Sequence, residues 1–434
     1  MNPVKVGIAG LGTVGSGTVN ILRRNADEIA RRVGRPIEIA HIGARRDNPA
    51  CDIEGIRVSR DVMEVARDPQ IDIVVELIGG TTTARELVLA AIANGKHVVT
   101  ANKALIAEHG NEIFSAAHAK GVDIAFEAAV AGGVPILKAL GEGLAANRIK
   151  WVAGIINGTG NFILTEMRDK GRDFADVLKE AQALGYAEAD PTFDVEGIDA
   201  AHKLTILASI AFGIPLQFSR VYTEGISRLT REDIAAAEQF GYRIKHLGIA
   251  KDTGHGIELR VHPTLIPQSV LLASVNGVMN AVMVDGDAVG PTLFYGAGAG
   301  AGPTGSAVVA DIIEMGRSLT IDHNLRVPYL GFHTDVLSDH PVLPIDDVVC
   351  PFYIRLHVQD RTGVLADITR ILSQHNISIE AMFQKDVDDD QPVPIMLMTH
   401  SVLERDMNAA LAEIAALDAV LDDIVRIRVE LLKA

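Results

Sequence analysis

The chain has 434 residues, 48% of them hydrophobic, and a formal charge of −16 at pH 7. This length predicts two to four domains with sizeable cores. The excess of carboxylates argues against a nucleic-acid partner, whose binding surfaces concentrate Lys and Arg. Two distant cysteines, Cys51 and Cys350, indicate neither a disulfide framework nor a zinc site. With no export signal and no apolar run of roughly 20 residues, we expect a cytoplasmic protein that binds no membrane.

The amino-terminal segment has the pattern of a dinucleotide-binding unit. Residues 4–10 predict a buried parallel strand, and GLGTVG follows at the start of a helix. Gly10 permits the tight turn, Gly12 lets a pyrophosphate approach the backbone, and Gly15 lets the helix pack on the strand. Strands and helices continue to alternate, which predicts a Rossmann-type doubly wound α/β domain. The predicted cofactor contacts in this turn are Gly10, Gly12, Thr13, Val14 and Gly15.

Cofactor preference depends on the end of the second predicted strand. That strand ends at Ala44 and is followed by Arg45 and Arg46, with no carboxylate to hold a ribose 2′-hydroxyl. Two guanidinium groups could hold a 2′-phosphate, which favours NADP(H) over NAD(H). The alternative is a solvated turn in which Asp47 partly cancels the two arginines.

A later predicted strand ends in the sequence TANKA, which contains Thr100 and Lys103. Because ligands bind at the carboxyl edge of an open parallel sheet, Lys103 could reach a cofactor or an anionic substrate. The alternative is an ordinary lysine at a helix N-terminus.

Residues 181–203, AQALGYAEADPTFDVEGIDAAHK, set several carboxylates and a lysine in one short stretch. Asp199 and Lys203 stand at i and i+4, so they share one face of a helix. In a cleft, burial would lower the pKa of Lys203 while Asp199 opposes that shift. An exposed ion pair of this spacing is the alternative, and such a pair contributes under about 1 kcal/mol.

The same stretch resembles the signature of the homoserine dehydrogenase family. The matching positions are Ala181, Gly185, Asp190, Pro191, Asp194, Gly197, Asp199 and Lys203. The segments NKA and INGTGN and the glycine-rich run 296–302 resemble the family as well, and the resemblance covers nearly the whole chain. It implies a monofunctional enzyme that transfers a hydride reversibly between NADPH and L-aspartate 4-semialdehyde. The product is L-homoserine, a precursor of threonine, methionine and isoleucine.

The resemblance also implies roles for individual residues. Lys203 would give a proton in reduction and take one in oxidation, while Asp199 positions it and Lys103 shares the electrostatic load. The further implied cofactor contacts are Thr100, Lys103, Gly185 and Gly300. The implied substrate contacts are Thr159, Glu188, Asp194 and Asp199, with Glu188 the first choice for the substrate ammonium. Relatives hold a monovalent cation, Na+ or K+, at positions matching Glu127, Val130, Gly132 and Val134, although a plain structural loop is an equal alternative.

The carboxyl-terminal residues predict a βαββαβ module that resembles an ACT domain. Strands are predicted over 352–360, 377–387, 393–402 and 422–430, and helices over 363–375 and 406–417. Such modules pair sheet to sheet, so the resemblance implies a homodimer or homotetramer. They also often bind amino acids, so it implies feedback inhibition by L-threonine. The implied effector contacts are Asp360, Gly363, Asn376 and Ile377. A dimerisation module without an effector is the alternative.

These patterns divide the chain into three parts. Residues 1–133 form the nucleotide domain, to which the chain returns near 300–325, residues 134–345 form an α+β catalytic and dimerisation domain, and residues 346–434 form the ACT-like module. Two other functions stay open. One is a catalytically silent amino-acid sensor on a dehydrogenase scaffold, and the other is a dehydrogenase for a related semialdehyde.

Overall fold

The structure is a computed structural model that describes residues 2–384 and 392–432. Its strands are β1 Val4–Ala9, β2 Ile37–Gly43, β3 Arg57–Ser59, β4 Ile73–Glu76, β5 His97–Thr100, β6 Ile124–Ala125, β7 Ile149–Ile155, β8 Tyr222–Thr223, β9 Tyr242–Asp252, β10 Ile257–Pro267, β11 Met279–Gly286, β12 Gly290–Ala297, β13 Val349–Cys350, β14 Phe352–Val358, β15 Ile379–Gln384, β16 Val393–Thr399, β17 Val402–Leu403 and β18 Val425–Val429. Its α-helices are α1 Thr13–Arg24, α2 Ala26–Val33, α3 Met63–Arg67, α4 Thr82–Ala93, α5 Lys103–Lys120, α6 Ile136–Lys138, α7 Gly158–Lys170, α8 Phe174–Ala183, α9 Thr192–Val195, α10 Ile198–Phe212, α11 Arg231–Gln239, α12 Ala301–Ser318, α13 Val364–Gln374 and α14 Glu404–Ala415.

The first domain is built on a six-stranded parallel sheet in the order β3-β2-β1-β4-β5-β6. Its central strands are runs of Val and Ile that are buried on both faces, as expected where helices cover both sides of a parallel sheet. The strand order reverses between β1 and β4, which places the ligand crevice at the carboxyl end of β1. The predicted doubly wound fold is therefore confirmed.

Helix α12 returns to the first domain from far along the chain. It packs directly on α1. The two helices are so close that a Cβ atom added at Gly17 would lie 2.0 Å from the carbonyl oxygen of Ala301. Only a glycine in α1 allows the two backbones to approach this closely. The start of α12 thereby lies beside the glycine turn at the end of β1.

The second sheet has ten strands and joins the middle of the chain to its carboxyl-terminal part. The order is β12-β11-β7-β9-β10-β18-β14-β16-β15, and β8 also pairs with β10. The carboxyl-terminal elements from β14 to β18 follow the predicted βαββαβ order, apart from the two-residue strand β17, which pairs with β13 outside this sheet. The strand predicted over 377–387 is described as β15, and residues 385–387 lie outside the described residues.

The junction between these two parts is a parallel pairing of β10 with β18. Thr264 lies opposite Arg428, and Leu265 lies opposite Val429. Beside this pairing, the buried Arg355 of β14 forms an ion pair with the buried Asp233 of α11 at 2.7 Å. The carboxyl-terminal module is thus held to the catalytic part by one continuous sheet and by buried charges.

Both cysteines are buried and unpaired. Among the described residues, no helix combines the length and the apolar character needed to cross a bilayer.

Candidate active site

The candidate site lies where α5 of the nucleotide domain meets α10 of the catalytic domain. Asn102 caps α5 by accepting the N–H of Leu105, so Lys103 begins that helix. Helix α10 begins after Gly197, whose φ of +85° suits glycine, and Asp199 lies in its first turn. Asp199 is only 3% exposed.

Asp199 joins two lysines from different domains. One oxygen lies 2.7 Å from the Nζ atom of Lys203, which confirms the predicted i,i+4 pair. The other oxygen lies 2.9 Å from the Nζ atom of Lys103. One buried carboxylate therefore bridges the nucleotide and catalytic domains.

The two lysines differ in their acid–base behaviour. Burial lowers the pKa of Lys203, and the charge of Lys103 adds to this, while Asp199 opposes both. Burial also disfavours the charged form of Lys103, but attraction to Asp199 outweighs it and raises the pKa. The pKa of Asp199 is lowered, because the two ammonium groups outweigh the effect of its burial. Lys203 is therefore the better group for exchanging a proton, and Lys103 is a lasting positive charge.

The segment INGTGN holds the carboxylates of this site in place. Asn157 caps α7, and its amide nitrogen donates to Asp194 at 2.8 Å and to Asp199 at 2.9 Å. Burial raises the pKa of Asp194. The main chain of Ile156 accepts a hydrogen bond from Lys203 at 2.7 Å. The side chain of Asn157 thus orients the carboxylates of Asp194 and Asp199, a role that the composition of the segment did not reveal.

The other predicted substrate contacts lie beside this cluster. The hydroxyl of Thr159 donates to the carbonyl of Tyr186 at 2.6 Å. Glu188 and Gly185 are exposed on the segment that follows α8, and the charge of Glu188 contributes to the raised pKa of Lys103. An exposed carboxylate near Lys103 remains available for a ligand.

A histidine that the sequence reasoning did not single out ties the same two helices together. His202 of α10 is buried, and its Nε2 atom lies 3.1 Å from a carboxylate oxygen of Glu108 of α5. Its ring stacks on Phe218 with the centroids 4.2 Å apart, and burial lowers its pKa. The neighbouring Phe193 lies under the Lys103 ammonium at 5.7 Å. The only feature of the sequence that could have pointed to His202 is its position directly before Lys203.

The sequence reasoning also missed a buried glutamate at the end of β4. Glu76 accepts the N–H groups of Ile78 and Gly79 and the hydroxyl of Thr100, the last at 2.6 Å. Burial raises the pKa of Glu76. Thr100, a predicted cofactor contact, therefore uses its hydroxyl to fix the loop after β4.

The glycine turn fits a dinucleotide pyrophosphate. A Cβ atom added at Gly12 would meet nothing within 4 Å, whereas one at Gly15 would lie 2.1 Å from the carbonyl oxygen of Gly10. Gly10 has φ of +103°. No side chain caps α1, so its first N–H groups are available to an anion. Gly300, with φ of +122°, immediately precedes α12 next to this turn.

Three arginines follow the ends of two neighbouring strands: Arg45 and Arg46 after β2, and Arg60 after β3. Arg45 and Arg46 are exposed and form no hydrogen bond or ion pair with any other described residue. Asp47 does not neutralise them, because it pairs with Arg60 at 2.9 Å. Two unpaired guanidinium groups are therefore exposed just after β2.

The residues predicted to hold a cation lie in a buried turn before α6. The carboxylate of Glu127 accepts the N–H groups of Leu137 and Lys138, both at 2.9 Å. Burial and the neighbouring Asp311 raise its pKa to about 7. The other members of the set are Val130, Gly132 and Val134, all buried. Within residues 2–384 and 392–432, no three His, Cys, Asp or Glu side chains form a metal cluster. Any cation here would depend on carbonyl oxygens, because Val130, Gly132 and Val134 have no ligating side chain.

The predicted effector residues are divided between the two ends of one helix. Asp360 and Gly363 are exposed before α13, and the exposed Asn376 and buried Ile377 follow it. An 11-residue helix is about 16 Å long, so one small ligand cannot contact both ends within a single chain.

An open glycine turn on a doubly wound sheet, together with a carboxylate that joins a lysine of the same domain to a lysine of α10, defines a nicotinamide-dependent oxidoreductase. Family models match three parts of the chain. "Homoserine dehydrogenase, NAD binding domain" matches residues 10–127, "Homoserine dehydrogenase" matches 135–313, and "ACT domain" matches 352–419.

Relatives match along the full length. The homoserine dehydrogenase of Pseudomonas aeruginosa is 65% identical over 99% of both chains, and that of Bacillus subtilis is 40% identical over 97% of this chain and 96% of its own. The crystal structure of a homoserine dehydrogenase from Thiobacillus denitrificans superposes with a TM-score of 0.95 at 62% identity, covering 100% of this chain and 99% of that one. The chain belongs to the homoserine dehydrogenase family.

Proposed function

We propose that the chain catalyses the reversible NADPH-dependent reduction of L-aspartate 4-semialdehyde to L-homoserine. The observation that carries this proposal is the carboxylate of Asp199 between Lys203 and Lys103, at the border of the nucleotide domain. A bound nicotinamide supplies or accepts the hydride. Lys203 donates a proton to the carbonyl oxygen in reduction and removes it from the hydroxyl in oxidation. Lys103 stabilises negative charge on the same oxygen.

The substrate is an amino acid, so its ammonium group needs a negative partner. Glu188 is exposed beside Lys103, and Asp194 is held by Asn157 at 2.8 Å. We assign the ammonium to Glu188 first and the orientation of the substrate to Asp194 and Thr159. Gly185 and Gly300 are assigned to the cofactor side of the cleft.

A direct assay tests the reaction. The absorbance of NADPH is followed with aspartate semialdehyde, and that of NADP+ with L-homoserine as the substrate. We expect turnover in both directions. No turnover in either direction would favour a silent amino-acid sensor. Faster turnover of another amino-acid semialdehyde would favour the related dehydrogenase instead.

Preference for NADP(H) is assigned to Arg45 and Arg46. Their guanidinium groups have no partner among the described residues. A hyperthermophilic archaeal homoserine dehydrogenase described in complex with NADPH is 26% identical and superposes with a TM-score of 0.62, over 72% of this chain and 97% of its own. Replacing both arginines by Ala should raise KM for NADPH much more than for NADH, with Arg24→Ala as the exposed control. Equal changes for both cofactors would refute the assignment.

Regulation by L-threonine is assigned to the ACT module, with Asp360, Gly363, Asn376 and Ile377 as the sequence-based effector contacts. Because these residues lie at both ends of α13, contact with one ligand would need two chains. Assembly as a homodimer or homotetramer is supported by the sheet, whose outer strands β12 and β15 pair on one side only within the described part of the chain. A Na+ or K+ requirement at Glu127, Val130, Gly132 and Val134 is tested by comparing turnover in Na+, K+ and tetramethylammonium salts.

A further inference from the structure

Phe193 is a large apolar side chain beside the candidate active site to which the family resemblance gives no role. It lies in the short helix α9, one residue before Asp194, and 40% of it is exposed. The positions at which this stretch matches the family signature include Pro191 and Asp194 but not Phe193. A single exposed apolar side chain needs no explanation by itself, so its contacts decide whether it has a role.

The ring of Phe193 faces the ammonium group of Lys103. The Nζ atom lies 5.7 Å from the ring centroid, within the distance at which the face of an aromatic ring attracts a cation. The same Nζ atom lies 2.9 Å from a carboxylate oxygen of Asp199. The Lys103 ammonium therefore has a carboxylate and an aromatic ring as neighbours. Its side chain is 33% exposed, so part of it stays accessible to a ligand.

The other contacts of the ring lead back to the helix that begins with Lys103. The rings of Phe193 and His202 have their centroids 5.5 Å apart. His202 in turn stacks on Phe218 and lies 3.1 Å from the carboxylate of Glu108 of α5. The Phe193 ring is thus in contact with the first residue of α5 directly and with the second turn of that helix through His202. A shift of Lys103 relative to α10 would have to move a ring that His202 already holds.

Carboxylates alone leave the Lys103 ammonium several positions. Lysine carries a point charge on a flexible four-carbon stem. The carboxylates that attract it are those of Asp199, Asp194 and Glu188. Because Coulomb attraction acts in all directions, these groups do not select one position for the ammonium group. An aromatic ring attracts a cation only over its face, so Phe193 favours one of these positions.

We propose that Phe193 is a positioning residue for Lys103, and that its ring keeps the Lys103 ammonium at the carboxylate of Asp199. The proposal rests on the proposed function for the role of Lys103 in turnover, whereas the contact between the two side chains can be tested without any reaction. Two substitutions separate the ring from its apolar bulk. Leucine keeps an apolar side chain and removes the ring face, and tyrosine keeps the ring face.

Trace labelling of lysines with acetic anhydride tests the contact directly. Peptide mass spectrometry gives the labelling rate of Lys103 relative to that of Lys120, which is exposed at the other end of α5. The ring favours the charged, unreactive form of Lys103, so Phe193→Leu should raise this ratio at least about threefold. Phe193→Tyr should leave the ratio within about 1.5-fold of the wild type. So should Phe332→Leu, which removes a ring of the same 40% exposure that lies against Gly213 after α10.

The pH dependence of turnover gives a second readout that a packing role alone would not change. The charges that act on Lys203 are those of Asp199, Lys103 and Asp194, and the charge of Lys103 lowers the Lys203 pKa. A less well-positioned Lys103 should therefore move the kcat profile of L-homoserine oxidation to higher pH in Phe193→Leu. The same variant should lose at least about threefold in kcat, and Phe193→Tyr should recover most of that loss.

An unchanged labelling ratio in Phe193→Leu would overturn the proposal, and so would an equal rise in Phe193→Tyr. A lower Tm of Phe193→Leu with a wild-type labelling ratio and a wild-type pH profile would also overturn it, because only a packing role would be left. Absence of turnover in the wild type would refute the proposed function instead. The labelling ratios would then still decide whether Phe193 holds Lys103, because they do not depend on the reaction.

Discussion

Replacing Lys203 with Met removes the proposed proton donor and leaves most of its surroundings satisfied. Asp199 keeps Lys103 at 2.9 Å and the amide of Asn157 at 2.9 Å, so the buried carboxylate stays paired. The carbonyl of Ile156 loses its donor, at a cost of about 1–3 kcal/mol. The variant should therefore fold. Because positioned acid–base groups contribute roughly 10²- to 10⁴-fold, kcat should fall by a factor in that range.

The pH dependence separates the two lysines. Reduction needs the Lys203 ammonium, so its kcat should fall as pH rises through the Lys203 pKa, which burial lowers. Oxidation needs the free amine, so its kcat should rise over the same interval. Lys103→Met removes a positive charge that lowers the Lys203 pKa, so both profiles should move to higher pH.

The assay follows NADPH absorbance in both directions across a pH series, with NADPH affinity measured separately by fluorescence. Lys120→Met, at the exposed far end of α5, is the matched control and should resemble the wild type. Wild-type kcat in Lys203→Met would remove that residue from the mechanism. A shift of the Lys103→Met profiles to lower pH would contradict the electrostatic coupling.

Three further outcomes follow from local geometry. Gly12→Ala should keep the wild-type Tm and lose NADPH binding, whereas Gly15→Ala should lower Tm, because its Cβ would lie 2.1 Å from the carbonyl oxygen of Gly10. His202→Ala should lower kcat by up to about 100-fold through misplacement of the two helices, with partial recovery in His202→Gln and unchanged NADPH affinity. Burial lowers the pKa of Lys245 of β9 to about 7 in the folded protein. Above that pH the unfolded chain keeps the Lys245 proton and the folded chain does not, so the free energy of unfolding should rise from pH 7 towards 10. This is measured by urea unfolding of the wild type and of Lys245→Met at several pH values. The free energy of unfolding of Lys245→Met should rise less steeply with pH than that of the wild type, by up to about 1.4 kcal/mol per pH unit.

Much of the site was determined by short-range sequence pattern. The glycine turn at Gly10 to Gly15 and the pair Asp199–Lys203 each lie within a few residues, where backbone geometry alone decides which groups meet. The βαββαβ order of the carboxyl-terminal module is likewise readable, because each element buries its own periodic apolar face.

Tertiary structure alone decided the contacts between distant segments. Lys103 reaches Asp199 and Glu108 reaches His202 only because α5 packs on α10, and residues so far apart in sequence leave no periodic trace of their meeting. The same holds for the pairing of β10 with β18, which turns an apparently separate module into part of the catalytic sheet. Deleting that module would remove Arg355 and leave the buried Asp233 without this ion-pair partner, so regulation has to be tested with point variants. Sequence specifies local conformation and buried faces, whereas the choice among possible partners for those faces is a property of the whole packed chain.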